Sequence, residues 1–451
     1  MYRPTGFADL AGRRVGVFGY GIEGRAGAAR ALAAGARVVI VDDADVEGAM
    51  RADAGGLEAL GGCEVVLKSP GIPRRRADVR DLEARGVVVT SALNLWLHEA
   101  DRQRVVGVTG TKGKSTTTSL LTFFLTAVGE DAQSLGNIGR PPYDEGVDTS
   151  HGFSIVEVSS FQCVDLDVAP GTVVVTALGS DHLDWHGSLE QYHEDKLSLT
   201  RAPGRHRTVV PDTGTFRGVA DALGGDVEFV APDASGLAGA LGLIGAHNDS
   251  NVALALAVGA RLSGLSREAL RQAVAARASE FVPLRGRLTL IGREERDGVT
   301  VRYVDDGLAT SPLPVIAALD VVAGEPVALI AGGFDRGVDY SPLADALARR
   351  RPPTRVVTMG PAGRRLVEAL TARASGVDVV AAGSMGDAVG AARAFLVGGG
   401  TVLFSPGAPS FDAYGNWLER SEDFAARVRE ALATPAPGAG ERWSLGRDSN
   451  P

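Results

Sequence analysis

Short apolar runs alternate with alanine-rich, helix-periodic stretches along most of the chain, the pattern of strand–helix–strand units built into parallel sheets. From Arg14, RVGVFGYGIEGRAGAARALAAGARVVIVDDAD reads as a strand, a glycine turn, a helix and a second strand closing at Asp42. That is a βαβ unit. EVVLKSPGIP and GVVVTSALNLWL add strands at α/β spacing before the charged HEADRQR, which predicts a first domain over residues 1–100. A second series opens with VVGVTG, contains FSIVEVSS and TVVVTALGS, and runs to the Pro- and Arg-bearing FVPLRGRLTLIG, predicting a domain over 101–288. TVRYVDDG, PVALIAGGFDRG, TRVVTMG and GTVLFSPGAPSFDAYGNW then alternate with helical patterns such as SPLADALARR, predicting a third domain over 289–434. The stretch 435–451 has the composition of a disordered tail.

Composition narrows the partners. With 451 residues, 45% hydrophobic and 22% charged, the chain is long enough for two to four cored domains at the usual ~100–200 residues each. Its formal charge of −9 offers no basic surface for nucleic acid, so small molecules are the expected partners. Cys63 and Cys163 are too few and too far apart for a disulfide framework or a CxxC metal site, which suits a reducing compartment. No apolar run approaches the ~18 residues of a membrane span, and the start lacks the apolar core of a secretory signal. The expected location is the cytoplasm.

Chemistry enters at GVTGTKGKSTTTSLL, Gly107 to Leu121. Backbone N–H groups around Gly110, Thr111, Lys112 and Gly113 can form a concave anion nest, with a helix N-terminus behind it. Lys114 is placed to meet the β- and γ-phosphates of ATP, and Ser115 or Thr116 to offer a hydroxyl to Mg²⁺. The common P-loop pattern puts glycine five positions before Gly113, where this chain has Val108, so the spacing departs while the mechanism is kept. Glu157 ends the apolar run FSIVE, a suitable position for an Mg²⁺ carboxylate, and Ser159 follows it as an aid to metal or phosphate binding. In GYGIEG, with Asp42 lying 23 residues after Gly19, the first domain carries a fair dinucleotide fingerprint.

The loop TGTKGKST, followed in order by SLGNIGRP, VEVSSFQ, SDHLDWHG, YHEDKLSL, GAHNDSNVALALA and SPGAPSFDAYGNWLERS, resembles the Mur ligase superfamily over nearly the whole chain. The MurD-like branch of glutamate-adding ligases is most similar. The resemblance implies an α/β fold of three domains: a Rossmann-like N-terminal domain, a central P-loop ATPase-like domain and a C-terminal Rossmann-like domain. It implies an ATP-dependent amide ligase of peptidoglycan synthesis. ATP phosphorylates the substrate carboxylate, the glutamate amine attacks the acyl phosphate, and phosphate and ADP leave.

Residue by residue, the resemblance implies a catalytic and metal set of Lys114, Ser115, Glu157, His182 and Lys196, with Lys196 carbamylated by CO₂ into an anionic oxygen donor. His186 is left with a structural role. Asn248 and Asn251 fall on the adenine region, Arg287 on the ATP phosphates, and Asp306 on the nucleotide from the third domain. The first domain holds the UDP of UDP-N-acetylmuramoyl-L-alanine through Gly19, Gly21, Asp42, Ser69, Pro70 and Gly71, while Asn137 faces the muramoyl-alanine portion. Thr310, Arg336, Ser410 and Trp417 fall on the incoming glutamate.

Several positions depart from the usual MurD pattern. Gly286 replaces a histidine before Arg287. Gly307 and Leu308 replace Ser-Lys, Arg336 replaces lysine, and Trp417 replaces phenylalanine. Such changes suit a pocket remodelled for L-glutamate, with a partner epimerase downstream; a D-glutamate ligase with neutral substitutions is the alternative. A folate polyglutamate ligase, a non-catalytic nucleotide-binding regulator and an NAD-dependent dehydrogenase are weaker readings.

Overall fold

The computed structural model describes residues 3–179, 183–296, 298–373 and 376–433. The tail 435–451 and the segment holding Asp181 and His182 lie outside the described residues. The described residues form three sheets, each flanked by helices, and the chain divides into two compact units. The first unit spans 1–241 and 247–282 and holds two sheets; the second spans 242–246 and 283–451 and holds the third.

The first sheet comprises β1 (Arg14–Phe18), β2 (Arg37–Asp42), β3 (Met50–Arg51), β4 (Val65–Lys68) and β5 (Val88–Thr90), all parallel, in the order β3-β2-β1-β4-β5. The second comprises β6 (Val105–Thr109), β7 (Ala132–Gly136), β8 (Phe153–Glu157), β9 (Thr172–Val175), β10 (Arg207–Pro211) and β11 (Asp226–Val230), ordered β11-β10-β9-β6-β8-β7. Its central strands are buried on both faces, which is why VVGVT and TVVV read as continuous apolar runs rather than alternating ones.

In the second unit, β12 (Thr289–Arg296) pairs antiparallel with β13 (Val299–Asp305). The parallel strands β14 (Val327–Gly332), β15 (Thr354–Met359), β16 (Asp378–Ala381) and β17 (Gly400–Phe404) complete the order β12-β13-β17-β14-β15-β16. No helix among the described residues is long and apolar enough to cross a membrane.

Buried polar contacts join the two sheets of the first unit. The Lys68 Nζ lies 2.7 Å from Asp165 Oδ2, with both side chains fully enclosed. Arg74 reaches the other oxygen of Asp165 at 3.2 Å. Arg75 grips both oxygens of Asp195, at 3.0 and 2.5 Å. Glu23, in the first turn of helix Ile22–Ala33, accepts from Tyr143 Oη at 3.1 Å and from Gln162 Nε2 at 2.6 Å. Burial pushes the Glu23 carboxyl up from 4.5 to about 6 against the pull of those two donors.

Candidate active site

In an open α/β sheet, ligands meet the carboxyl ends of neighbouring parallel strands. The sequence-derived site residues fall at such ends in all three sheets. In the first, the glycine turn follows β1, Asp42 ends β2 and Ser69–Gly71 follow β4, three adjacent strands. Asp42 accepts from the Tyr20 amide at 2.6 Å, tying the end of β2 to the glycine turn. Ser69 Oγ donates to the Gly19 carbonyl at 2.6 Å. Gly71 is exposed, and its carbonyl accepts from Trp185 Nε1 at 3.3 Å.

The second sheet carries the phosphate loop between β6 and the helix Lys114–Ala127. Gly113 caps that helix at φ +86, and a Cβ there would sit 2.5 Å from Asn251 Oδ1. Asn251 in turn accepts from Thr117 Oγ1 at 3.2 Å and donates to Asn248 Oδ1 at 2.9 Å. Both asparagines are thus buried behind the loop and brace it. Gly110 adopts φ +140, where a Cβ would collide with Thr176 Oγ1 at 2.1 Å. Thr176 Oγ1 donates to the Lys112 carbonyl at 2.5 Å, and the Thr111 amide donates to the Ala177 carbonyl at 2.8 Å. The loop is therefore held from the end of the neighbouring strand β9.

Two lysines converge on one loop carbonyl. Lys114 Nζ donates to the Gly110 oxygen at 2.9 Å and to that of Thr111 at 3.3 Å. Lys196, 1% exposed, donates to the same Gly110 oxygen at 3.0 Å. Its ammonium also lies 4.9 Å from the Tyr192 ring centroid, and Tyr192 Oη donates to Thr111 Oγ1 at 3.0 Å. Thr176 and Tyr192 were not among the sequence-derived residues, because nothing local marks them. Their partners lie 64 and 81 positions away.

Glu157 ends β8, beside β6, and is 1% exposed. Its Oε1 accepts from Asn137 Nδ2 at 2.9 Å, whereas the buried Oε2 has no hydrogen-bond partner among the described residues. A buried carboxylate oxygen left unpaired is costly unless a cation meets it, so the residues present fit an Mg²⁺ ion. Ser115 is buried in the first turn of the helix Lys114–Ala127. No group of three acidic, His or Cys residues that could hold a metal occurs among the described residues, which exclude His182.

Ser159, read as an aid to metal or phosphate, caps the short helix Ser160–Cys163. Its hydroxyl accepts from the Gln162 amide, and the Gln162 side chain returns the bond to the Ser159 amide. The S-x-x-Q pattern in the sequence signals this capping box. His186 is buried with both ring nitrogens engaged, to Asp195 Oδ2 at 2.7 Å and to Ser160 Oγ at 3.0 Å. Burial lowers its proton affinity despite the carboxylate.

In the third sheet, Asp306 and Thr310 follow β13, Arg336 follows β14 and Ser410 follows β17, again three adjacent strands. Asp306 accepts from Ser405 Oγ at 2.7 Å, and burial pushes its carboxyl up to about 7. Arg287 is exposed and its charge acts on Asp306 in the opposite sense. Thr310 and Arg336 are exposed, with the guanidinium 6.0 Å from the Phe411 ring centroid. Ser410 is buried, and Trp417 opens the helix Trp417–Ala433.

A glycine loop braced from the neighbouring strand, a buried carboxylate with one unpaired oxygen and polar residues gathered at the carboxyl ends of parallel strands suit an enzyme that spends a nucleoside triphosphate. Residues 108–215 match the Mur ligase middle domain. A UDP-N-acetylmuramoyl-L-alanine--L-glutamate ligase of Micromonospora sp. is 39% identical, with 95% of this chain and 99% of that one aligned. One from Salinispora tropica is 38% identical over 94% and 99%. A UDP-N-acetylmuramoylalanine--D-glutamate ligase of Rubrobacter xylanophilus is 36% identical over 92% and 97%. Among solved structures, the UDP-N-acetylmuramate-alanine ligase MurC of Thermotoga maritima superposes with TM-score 0.51 at 17% identity, covering 93% of this chain and all of that one. MurF of Acinetobacter baumannii gives 0.52 at 16%, covering 88% and 87%. This protein belongs to the Mur ligase family and is an ATP-dependent ligase of peptidoglycan synthesis.

Proposed function

We propose that the chain joins L-glutamate to the carboxylate of UDP-N-acetylmuramoyl-L-alanine, with ATP converted to ADP and phosphate. The observation that carries this reading is end-to-end similarity to L-glutamate ligases, at 39% and 38% identity. The N-terminal strand ends take the UDP-sugar through Gly19, Gly21, Asp42, Ser69, Pro70 and Gly71, and Asn137 faces its muramoyl end. Gly110 to Thr116, with Asn248, Asn251, Arg287 and Asp306, serve ATP; Thr310, Arg336, Ser410 and Trp417 serve glutamate. Ser115, Glu157, His182 and a carbamylated Lys196 would hold Mg²⁺. The ion supplies charge neutralisation where a triphosphate approaches a carboxylate.

Domain boundaries near 100, 288 and 434, a cytoplasmic location and an epimerase acting on the product complete the proposal. Addition of D-glutamate is the second reading, favoured by the 36% identical D-glutamate ligase. Phosphate release with UDP-N-acetylmuramoyl-L-alanine and each glutamate enantiomer, followed by product mass, separates them. Preference for L supports the proposal, preference for D supports the second reading, and no product with either overturns both.

A further inference from the structure

The departures from the usual MurD pattern at 286, 307, 308 and 417 are far apart in sequence, yet they meet in the second unit. Gly286 is buried at φ +68. A Cβ on it would stand 2.8 Å from Trp417 Cζ3 and 3.1 Å from the Leu308 nitrogen. The Leu308 amide donates to the Gly286 carbonyl at 3.1 Å. The Gly286 amide donates to Asp305 Oδ2 at 3.1 Å, while Asp305 Oδ1 accepts from the Gly307 amide at 2.9 Å and from Ser421 Oγ at 3.1 Å. A Cβ at 307 would fall 2.0 Å from that same Ser421 hydroxyl.

Helix Trp417–Ala433 therefore brings Trp417 and Ser421, one turn apart, against two glycines, of which Gly286 also adopts the left-handed backbone that favours glycine. Between them, the buried Arg420 donates to the Ala408 carbonyl at 2.9 Å and the Pro409 carbonyl at 3.0 Å, fixing the segment that leads into Ser410. Substitutions that drift independently have no reason to depend on one another sterically, yet the indole at 417 crowds a side chain at 286, whose carbonyl holds the Leu308 amide; at 307 the crowding comes from the Ser421 hydroxyl.

We propose that Gly286, Gly307, Leu308 and Trp417 form one co-adapted element that selects the glutamate enantiomer, an inference that rests on the glutamate-ligase reading above. Enantiomers held by the same two carboxylate contacts must exchange the positions of amine and hydrogen about Cα. With the amine fixed by its line of attack, selection falls on the walls beside the carboxylate clamp. The element alters those walls together, replacing a basic side chain by leucine at 308 and adding the indole at 417.

The test measures kcat/KM for L- and D-glutamate, and KM for ATP, on the full-length wild-type protein and on Trp417→Phe, Leu308→Lys and the double variant. Trp417→Tyr serves as a second variant should Trp417→Phe fail to fold. The expected result is an L-to-D ratio changed roughly tenfold or more in at least one single variant, with a double-variant effect that differs from the product of the singles. KM for ATP and the unfolding temperature stay near wild type. Ratios within about twofold of wild type in every folded variant, or strictly multiplicative effects, overturn the proposal. Wild-type protein inactive with both enantiomers overturns the underlying reading instead, and the proposal with it.

Discussion

Glu23 tests the electrostatics of the junction between the first two sheets. Its carboxyl is enclosed between helix Ile22–Ala33, Tyr143 and Gln162, and burial raises it from 4.5 to about 6. The folded protein then holds this proton more tightly than the unfolded chain. Stability from this group is full below pH 4.5 and is lost as pH rises through 6. At about 1.4 kcal/mol per pH unit, the rise amounts to about 2 kcal/mol lost by neutral pH. Glu23→Gln abolishes the ionisation and keeps one acceptor oxygen, forfeiting about 1 kcal/mol for the second donor.

The variant should therefore match or trail wild type at pH 4.5 and exceed it by about 1 kcal/mol at pH 7.5. The assay is calorimetric unfolding of both proteins across this range. Other titrating groups cancel in the difference, which should grow by about 2 kcal/mol, a shift of a few degrees for a unit of this size. A difference that stays constant with pH to within about 0.5 kcal/mol, or that shrinks as pH rises, would refute the burial argument.

Gly110→Ala should abolish ATP turnover, since the added Cβ meets Thr176 Oγ1 at 2.1 Å at φ +140, and nucleotide-binding calorimetry should show the loss directly. Lys196→Ala should lose turnover and regain part of it with added short carboxylic acids; normal turnover without them removes the carbamate role. Lys68→Met leaves Asp165 with one partner fewer in an enclosed site and should cost about 3–5 kcal/mol, read by denaturant unfolding. Lys68→Met combined with Asp165→Leu should recover much of that, and a double variant no better than the single would contradict the ion-pair account.

The strand–turn–helix around Gly110 was legible because its signals are local: an apolar run, glycines, then Lys-Ser-Thr on an apolar helix. So were the glycine turn after β1 and the parallel α/β pattern. What was not legible depends on pairing across the chain. Nothing in the sequence pairs Lys68, at the end of an apolar strand, with Asp165, 97 positions away beside the next sheet. Nor does it show that the Asn251 oxygen stands against Gly113 and Thr117. The bracing of Gly110 by Thr176 and the knot of Gly286, Leu308 and Trp417 also belong to tertiary packing, which periodicity does not encode. The resemblance marked those last positions as departures, but only the fold put them side by side.

The grip of Arg75 on Asp195 has a mechanical meaning. Asp195 precedes Lys196 by one residue, and Arg75 follows Gly71 by four in the loop that leaves β4. The Trp185 indole on the Gly71 carbonyl adds a second hook to the same loop. Any displacement of that loop is transmitted to the helix that carries Lys196. The two sheets of this unit thus share a link of two side chains, so a shift at the carboxyl end of one is coupled mechanically to the helix beside the glycine loop of the other.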